Sequence, residues 1–372
     1  MVSSERDPRH FSPTSGAALP DGGRRMVLIR LSSLGDIILT TGALLWWHEQ
    51  SGATFTVITK AAFAPIFIGH PAVEKIVELG KTEQKLLNYA AFCRKLAKQH
   101  LKTPLVDLHG NIRSRILSLF WKGEVFRYPK MALARRLFLA THGRVCKNTL
   151  RSSHVTLRYA AALPAGGLPS GYDVSGRKEN GPRAAAPLRS DVKPRVFLSH
   201  EELARAESLL PKRVKKRIVL HPYARHMAKS WSMETWIALA SALIREYDIV
   251  WVGIGDLRAD APGLSLVNKT NLRELAAVIA SCDCIITGDS GPMHLAAAVD
   301  TAIAALFGPT CLEWGFYPDG KNVRLLQHEM PCRPCSLHGD AKCGRGFACL
   351  NDITQEEVLD AVHALVPPDK EL

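Results

Sequence analysis

The chain has 372 residues, 47% of them apolar and 22% charged, with a formal net charge of +13. That length exceeds one compact core and fits two domains, and the composition is that of a globular enzyme, which excludes a fibrous or disordered chain. No uncharged apolar run reaches the roughly 18 residues that a membrane span needs, and nine cysteines in a chain this long do not form a disulfide framework.

Residues 1–25 are polar, with Pro, Gly and Ser and no apolar stretch of signal-peptide type, so a flexible tail and a cytosolic protein are expected. Arg25 to Leu31 then reads as a short apolar strand. It runs through Ser32-Ser33-Leu34-Gly35-Asp36 into a helix over Ile37 to Gln50. Strands are expected at Phe55 to Thr59 and Val73 to Leu79, with a helix at Ala61 to Gly69 between them. A basic helix at Glu83 to His100 leads to the strand Pro104 to Leu108, then His109-Gly110-Asn111-Ile112-Arg113-Ser114-Arg115. Helical sequence is expected to continue from Ile116 to Tyr159. The charge is concentrated here: between Lys81 and Arg158 there are 17 Lys and Arg against 3 acidic residues, leaving the rest of the chain close to neutral. One region therefore faces an anionic partner.

Residues 166–194, dense in Gly and Pro, read as a linker between a domain at 26–165 and another at 195–372. The second domain alternates again. A helix at Glu201 to Leu210 precedes the strand Arg217 to His221, the cationic loop Pro222 to Lys229, a helix at Ser232 to Glu246, and the strand Asp248 to Val252 followed by Gly253-Ile254-Gly255-Asp256. After a helix at Leu272 to Ser281, the strand Cys284 to Thr287 meets Gly288-Asp289-Ser290-Gly291-Pro292-Met293-His294. A helix over Met293 to Val299 and the strand Ala302 to Phe307 follow, and a capped helix lies at Thr354 to Leu365. Repeated strand, loop and helix units predict parallel sheets of the doubly wound type, whose ligands sit at the carboxyl ends of the strands.

The Asp289 to His294 loop is the most informative of these. Asp289 and Ser290 suit an N-cap, Gly291 admits close approach of a ligand, and Pro292 suits the first helical position. The result is a helix start with free amides, a site for phosphate. By itself that string only caps a helix. Asp36, likewise, is by itself a first-turn acid that stabilises the helix dipole.

Taken together, Asp289-Ser-Gly-Pro-Met-His294 with Phe307-Gly-Pro-Thr310, and Leu31-Ser-Ser-Leu-Gly-Asp36 at the other end of the chain, resemble glycosyltransferase family 9, the ADP-heptose:lipopolysaccharide heptosyltransferases. The resemblance covers most of residues 26 to 365. It implies the GT-B architecture, two Rossmann-like domains facing a cleft, and an inverting transfer from a nucleotide sugar, ADP-heptose, that requires no metal cofactor. It also implies Asp36 as general base and Lys229 beside the diphosphate. Ser32, Ser33, Gly35, Arg225, Asp256 and the 289–294 loop then become donor-binding candidates.

On the acceptor side, His109, Asn111, Arg113, Arg115, Arg135 and Arg136 are candidates for holding an anionic lipid-linked saccharide at the cytoplasmic face of the inner membrane. The bland alternatives are a solvated cationic loop at 222–229 and structural histidines at 109 and 294. Cys332, Cys335, Cys343 and Cys349 are candidate ligands of a structural zinc or else free thiols. A nucleotide-sugar epimerase or hydrolase of the same fold is the nearest alternative. A basic nucleic-acid-binding protein is more remote, because the basic region lacks interleaved aromatics and no nucleic-acid partner is expected.

Overall fold

A computed structural model describes residues 25–152, 154–163, 191–337, 339 and 343–369. The expected tail, apart from Arg25, and the body of the expected linker lie outside the described residues. The N-terminal sheet is built from β1 (Arg25–Ile29), β2 (Thr54–Lys60), β3 (Val73–Leu79), β4 (Leu105–Asp107) and β5 (Val125–Arg127). Its spatial order is β3-β2-β1-β4-β5 with every pairing parallel. Helices α1 (Leu34–Ser51), α2 (Leu86–Gln99) and α3 (Ile112–Phe120) are interleaved with these strands. Three short helices follow: α4 (Ala132–Ala140), α5 (Lys147–Arg151) and α6 (Val155–Ala160).

The C-terminal part begins with α7 (His200–Leu209). Its sheet comprises β6 (Arg217–His221), β7 (Asp248–Trp251), β8 (Leu264–Ser265), β9 (Cys284–Gly288), β10 (Ala302–Phe307) and β11 (Val323–Gln327), in the parallel order β11-β10-β9-β6-β7-β8. Helices α8 (Met233–Leu243), α9 (Leu272–Ala280), α10 (Gly291–Ala298), α11 (Ala348–Asn351) and α12 (Gln355–Leu365) complete it. Strands covered on both faces are largely apolar, and β6, β9 and β10 are buried at every position.

In each sheet the strand order reverses once, between β1 and β4 and between β9 and β6. Such reversals open a crevice at the carboxyl ends of the strands. The Asp36 loop follows β1, the Lys229 loop follows β6 and the Asp289 loop follows β9, so topology alone brings these three loops to crevices. The crevices also face each other, because α1 and α10 touch. A Cβ on Gly35 would stand 2.5 Å from the His294 ring, and one on Gly291 would stand 2.6 Å from the Leu34 side chain.

Chain connections tie the two parts further. Val192 crosses over Gly42, where a Cβ would lie 2.2 Å from the Val192 carbonyl oxygen. The Arg195 amide donates to the Thr41 hydroxyl at 2.9 Å. Helix α6, buried at all six positions, anchors to both sides: Trp47 donates its indole N–H to the Ala160 carbonyl at 3.1 Å, and the Val155 amide donates to Gly315 at 3.0 Å.

Two expectations need correction, and two strands were not expected. The helix expected at 61–69 is a 3-10 turn over Ala61–Phe67, since Pro65 inside it removes an amide donor. The continuous helix expected from 116 to 159 is broken into α3, β5, α4, α5 and α6. Gly123 packs its backbone against the Thr103 carbonyl, Pro129 interrupts the run, and Met131 and Cys146 take the left-handed conformation at φ 51° and 64°. Strands β8 and β11 carry no signal strong enough to call: the first has two residues, and the second, Val-Arg-Leu-Leu-Gln, is a half-exposed edge. No helix among the described residues is long and apolar enough to cross a membrane.

Candidate active site between the two sheets

A cavity of about 1140 Å³ opens between the two crevices. Its N-terminal wall includes Arg30, Ser32, Ser33, Gly35, Asp36, His109, Tyr128, Lys130 and Arg135. Its C-terminal wall includes His221, Tyr223, Arg225, Lys229, Asp289, Ser290, Gly291, Pro292 and His294. Carboxylate and helix start, about 250 residues apart in sequence, thus share one space.

Asp36 occupies the first turn of α1 and both of its oxygens are engaged. Oδ2 accepts the Ser33 amide at 3.0 Å and the Ser33 hydroxyl at 2.9 Å, a capping box that starts α1 three residues before the position expected from sequence. Oδ1 accepts the Tyr159 hydroxyl at 2.7 Å and lies 2.5 Å from the Arg30 guanidinium. Burial pushes this carboxyl up, but Arg30, Tyr159 and Ser33 outweigh it and hold the pKa at about 2. A closed cleft by itself raises a carboxyl's pKa, and that is the expectation for Asp36. It fails because burial comes with a cation and three donors. Arg30 is fixed in turn: it donates to the Leu108 carbonyl and stacks on Tyr159 with 5.3 Å to the ring centroid. A lone arginine just after four apolar residues of a buried strand was the sequence signal for it.

On the opposite wall the first turn of α10 is uncapped by side chains. Ser290 makes no bond to the helix amides, and its hydroxyl stands 3.2 Å from that of Thr287 and 3.5 Å from His221 Nδ1. The uncapped helix start, with its free amides and positive dipole end, lies at Gly291 in the cavity lining. Lys229 Nζ donates to Asp289 Oδ2 at 2.6 Å, and the Thr310 hydroxyl donates to the same oxygen at 2.8 Å. Asp289 therefore works as the anchor that aims a lysine, leaving two N–H donors of the ammonium for a ligand.

The other candidates separate cleanly. Arg225 lines the cavity, whereas Asp256 is exposed and not part of its lining. The Met293 side chain is fully buried in the core, so only its amide belongs to the helix start. Of the six acceptor-side candidates, His109 and Arg135 line the cavity. Asn111 caps α3 by accepting the Arg113 and Ser114 amides at 3.0 and 3.2 Å, and Arg113 donates to the Gln84 carbonyl at 3.3 Å. Arg115 and Arg136 are exposed elsewhere. Arg135 lies 5.5 Å from the ring centroids of both Trp314 and Phe316, and its buried Nε has no hydrogen-bond partner among the described residues. A cation so placed could be completed by an anionic ligand.

The four C-terminal cysteines stand in one segment that packs over Lys229, where a Cβ on Gly339 would meet the lysine side chain at 2.7 Å. The Arg345 and Phe347 amides donate to Cys343 Sγ at 3.4 and 3.3 Å. No group of three or more His, Cys, Asp or Glu among the described residues is disposed to hold a metal ion.

Several histidines are buried neutral. Burial lowers His70 and His221 to about 4, and burial with the nearby Arg30 and Lys130 lowers His109 to about 3. A base whose folded pKa is depressed takes up its proton more readily in the unfolded chain, so stability is present above the unfolded value and is lost as pH falls below it. Between pH 7.5 and 5 the urea midpoint is expected to fall, with His70 and His221 each contributing on the order of 2 kcal/mol by pH 5. A midpoint unchanged over that interval would show these rings to be solvated.

The model of the family described as glycosyltransferase family 9 (heptosyltransferase) matches residues 187–342. A lipooligosaccharide heptosyltransferase 2 from Campylobacter jejuni is 29% identical over 167 residues, covering 41% of this chain and 51% of that protein. The chain thus spans about half the length of this relative. A lipopolysaccharide heptosyltransferase 1 from Pseudomonas aeruginosa is 26% identical over 327 residues, covering 84% of this chain and 86% of that protein. Among solved structures, the ADP-heptose lipopolysaccharide heptosyltransferase II of Escherichia coli superposes with a TM-score of 0.65 at 20% identity, covering 92% of this chain and 98% of that one. At that identity the likeness is one of fold: two parallel α/β domains of GT-B type.

Proposed function

We propose, from the premise that this chain belongs to glycosyltransferase family 9, that it transfers a heptose from ADP-heptose to an anionic lipid-linked saccharide of the lipopolysaccharide inner core. The transfer inverts the anomeric centre and needs no metal ion. One observation carries the proposal: Asp36 from one sheet and the α10 start with Lys229 from the other line the same cavity.

In this reading the acceptor hydroxyl oxygen forms a bond to the anomeric carbon as the bond from that carbon to the diphosphate breaks. The hydroxyl proton passes to Asp36. The charge that develops on the departing diphosphate is met by Lys229 and by the amides of the α10 first turn. Asp289 is already committed to Lys229 and Thr310, so it is a poor candidate for a metal ligand, and the lysine fills the role a divalent ion has elsewhere.

A carboxylate with a pKa of about 2 is ionised at any physiological pH but is a weak base. Proton transfer therefore lags behind bond formation, after attack on an oxocarbenium-like carbon has made the hydroxyl acidic. To reach Oδ2 the acceptor hydroxyl displaces that of Ser33, which is free to rotate. His109 and Arg135 are the residues expected to hold the acceptor, and the enzyme is expected to work at the cytoplasmic face of the inner membrane.

The test is product analysis with sugar-labelled ADP-heptose, with and without a lipopolysaccharide precursor, in the presence of EDTA. Label moving to the precursor is the expected result. Release of free sugar or an epimerised nucleotide sugar irrespective of acceptor would replace the transferase with a hydrolase or epimerase, and a requirement for added metal would overturn the metal-independent step. ADP at a hundredfold excess over its Kd should raise stability by about 2.7 kcal/mol, read as a melting shift that other nucleoside diphosphates do not match.

A further inference from the structure

Helix α4 has two faces with different occupants. Ala134, Arg135 and Phe138 turn inward toward Trp314 and Phe316, and Arg135 reaches the cavity. On the other side Leu133, Arg136, Leu137 and Ala140 form an exposed stripe at i, i+3, i+4 and i+7, with Leu133 72% and Leu137 42% exposed. The turn after the helix adds Val145, 45% exposed, between Arg144 and Lys147. Single exposed leucines need no explanation. Here three large aliphatic side chains within thirteen residues are interleaved with cations, and the sequence holds no acidic residue from Val125 to Tyr172. None of the ion pairs among the described residues involves Arg136, Arg144 or Lys147.

We propose that the outer face of α4 and the turn that follows it form a peripheral docking surface for an anionic lipid bilayer. The aliphatic side chains enter the boundary between headgroups and acyl chains while the cations meet lipid phosphates. Two weak signals of this kind, apolar insertion and charge, act together in stable yet reversible membrane attachment. A nucleic-acid backbone would satisfy the cations and leave the leucines in water, and the face carries no aromatic residue on which a base could stack. The inference rests on the proposed function in one respect: it presumes an acceptor anchored in that bilayer. Because the same helix presents Arg135 to the cavity, docking brings the acceptor-side wall beside the surface from which the saccharide projects.

The experiment uses the full chain in co-sedimentation with vesicles of phosphatidylcholine alone or with phosphatidylglycerol. Leu133→Ser/Leu137→Ser/Val145→Ser and Arg144→Gln/Lys147→Gln are compared with the unchanged protein, after circular dichroism has confirmed equal folding. Binding to the anionic vesicles is expected, weakening as salt rises, and the serine variant is expected to bind at least about tenfold more weakly. Unchanged binding by the serine variant overturns the proposal whatever the glutamine variant does, as does equal binding of the unchanged protein to both vesicle types.

Transfer to a deacylated, water-soluble acceptor serves as the separate readout. The serine variant should match the unchanged protein there, since its substitutions lie away from the cavity. Loss of that transfer in the variant alone would assign these residues to the site and overturn the docking role. Absence of transfer by the unchanged protein would instead refute the functional reading and leave the vesicle result standing.

Discussion

Replacing Asp36 by Asn is expected to reduce turnover by about 10² to 10⁴, the span a positioned general base contributes, while ADP binding changes by no more than about threefold. The asparagine keeps an oxygen for the Ser33 amide and an atom of similar size beside Tyr159, so the loop stays in place. It removes the negative charge. The measurement is kcat with saturating donor together with an independent ADP titration. Unchanged turnover would take Asp36 out of the mechanism.

The structure also sets a control for that experiment. Arg30 is 5% exposed and its partner carboxylate is Asp36, so substitution leaves a buried guanidinium uncompensated. Breaking a buried pair costs about 3–5 kcal/mol when one charge is left behind. Asp36→Asn should therefore lower the denaturation midpoint as well as the rate, and the kinetic loss must be read at a temperature where the variant is folded. The pair Asp36→Asn with Arg30→Met should recover part of the stability and none of the turnover, which separates the scaffold role of Asp36 from its chemical one.

Replacing Lys229 by Met is expected to cost about 10² to 10³ in turnover and to weaken donor binding, because in the proposed reaction the lysine opposes charge on the diphosphate both before and during bond cleavage. The side chain is only 14% exposed and bonded to Asp289 at 2.6 Å. Removing it leaves Asp289 facing the cavity without its cation, so a further loss comes from repulsion between that carboxylate and the diphosphate. Asp289→Asn added to Lys229→Met should accordingly bind ADP better than the single variant does. Equal binding by the two would show that Asp289 does not face the nucleotide. Arginine should not replace the lysine, because Gly339 packs directly against the methylenes of Lys229 and a planar fork does not follow the same path.

Much of this architecture is readable from residue order. The apolar stretches at 25–31, 217–221, 284–287 and 302–307 must be buried strands, and glycine or capping residues after them mark the loops that carry Asp36, Asp289 and Ser290. Where the local signal is mixed, sequence misleads: the run from 116 to 159 is apolar and basic enough to suggest one long helix, and Gly123, Pro129 and the left-handed turns at Met131 and Cys146 break it into five elements. The helix expected at Ala61 to Gly69 forms as a shorter 3-10 helix over Ala61–Phe67, because Pro65, which sequence does contain, removes an α-helical donor.

What sequence determined by itself is therefore the alternation of strand and helix, the helix start at Ser290 and the place of Asp36 in a first helical turn, because each depends on residues within four or five positions of one another. What only the tertiary structure decided is which distant groups share a space. Tyr159 and Arg30 reach Asp36 from α6 and from the end of β1, Lys229 is aimed by Asp289 sixty residues away, and of the six cationic or polar acceptor candidates two line the cavity. The pKa of Asp36 follows the same rule. Burial raises it and three partners lower it, and the sign is set by which side chains the fold delivers to one carboxylate, which no local pattern encodes.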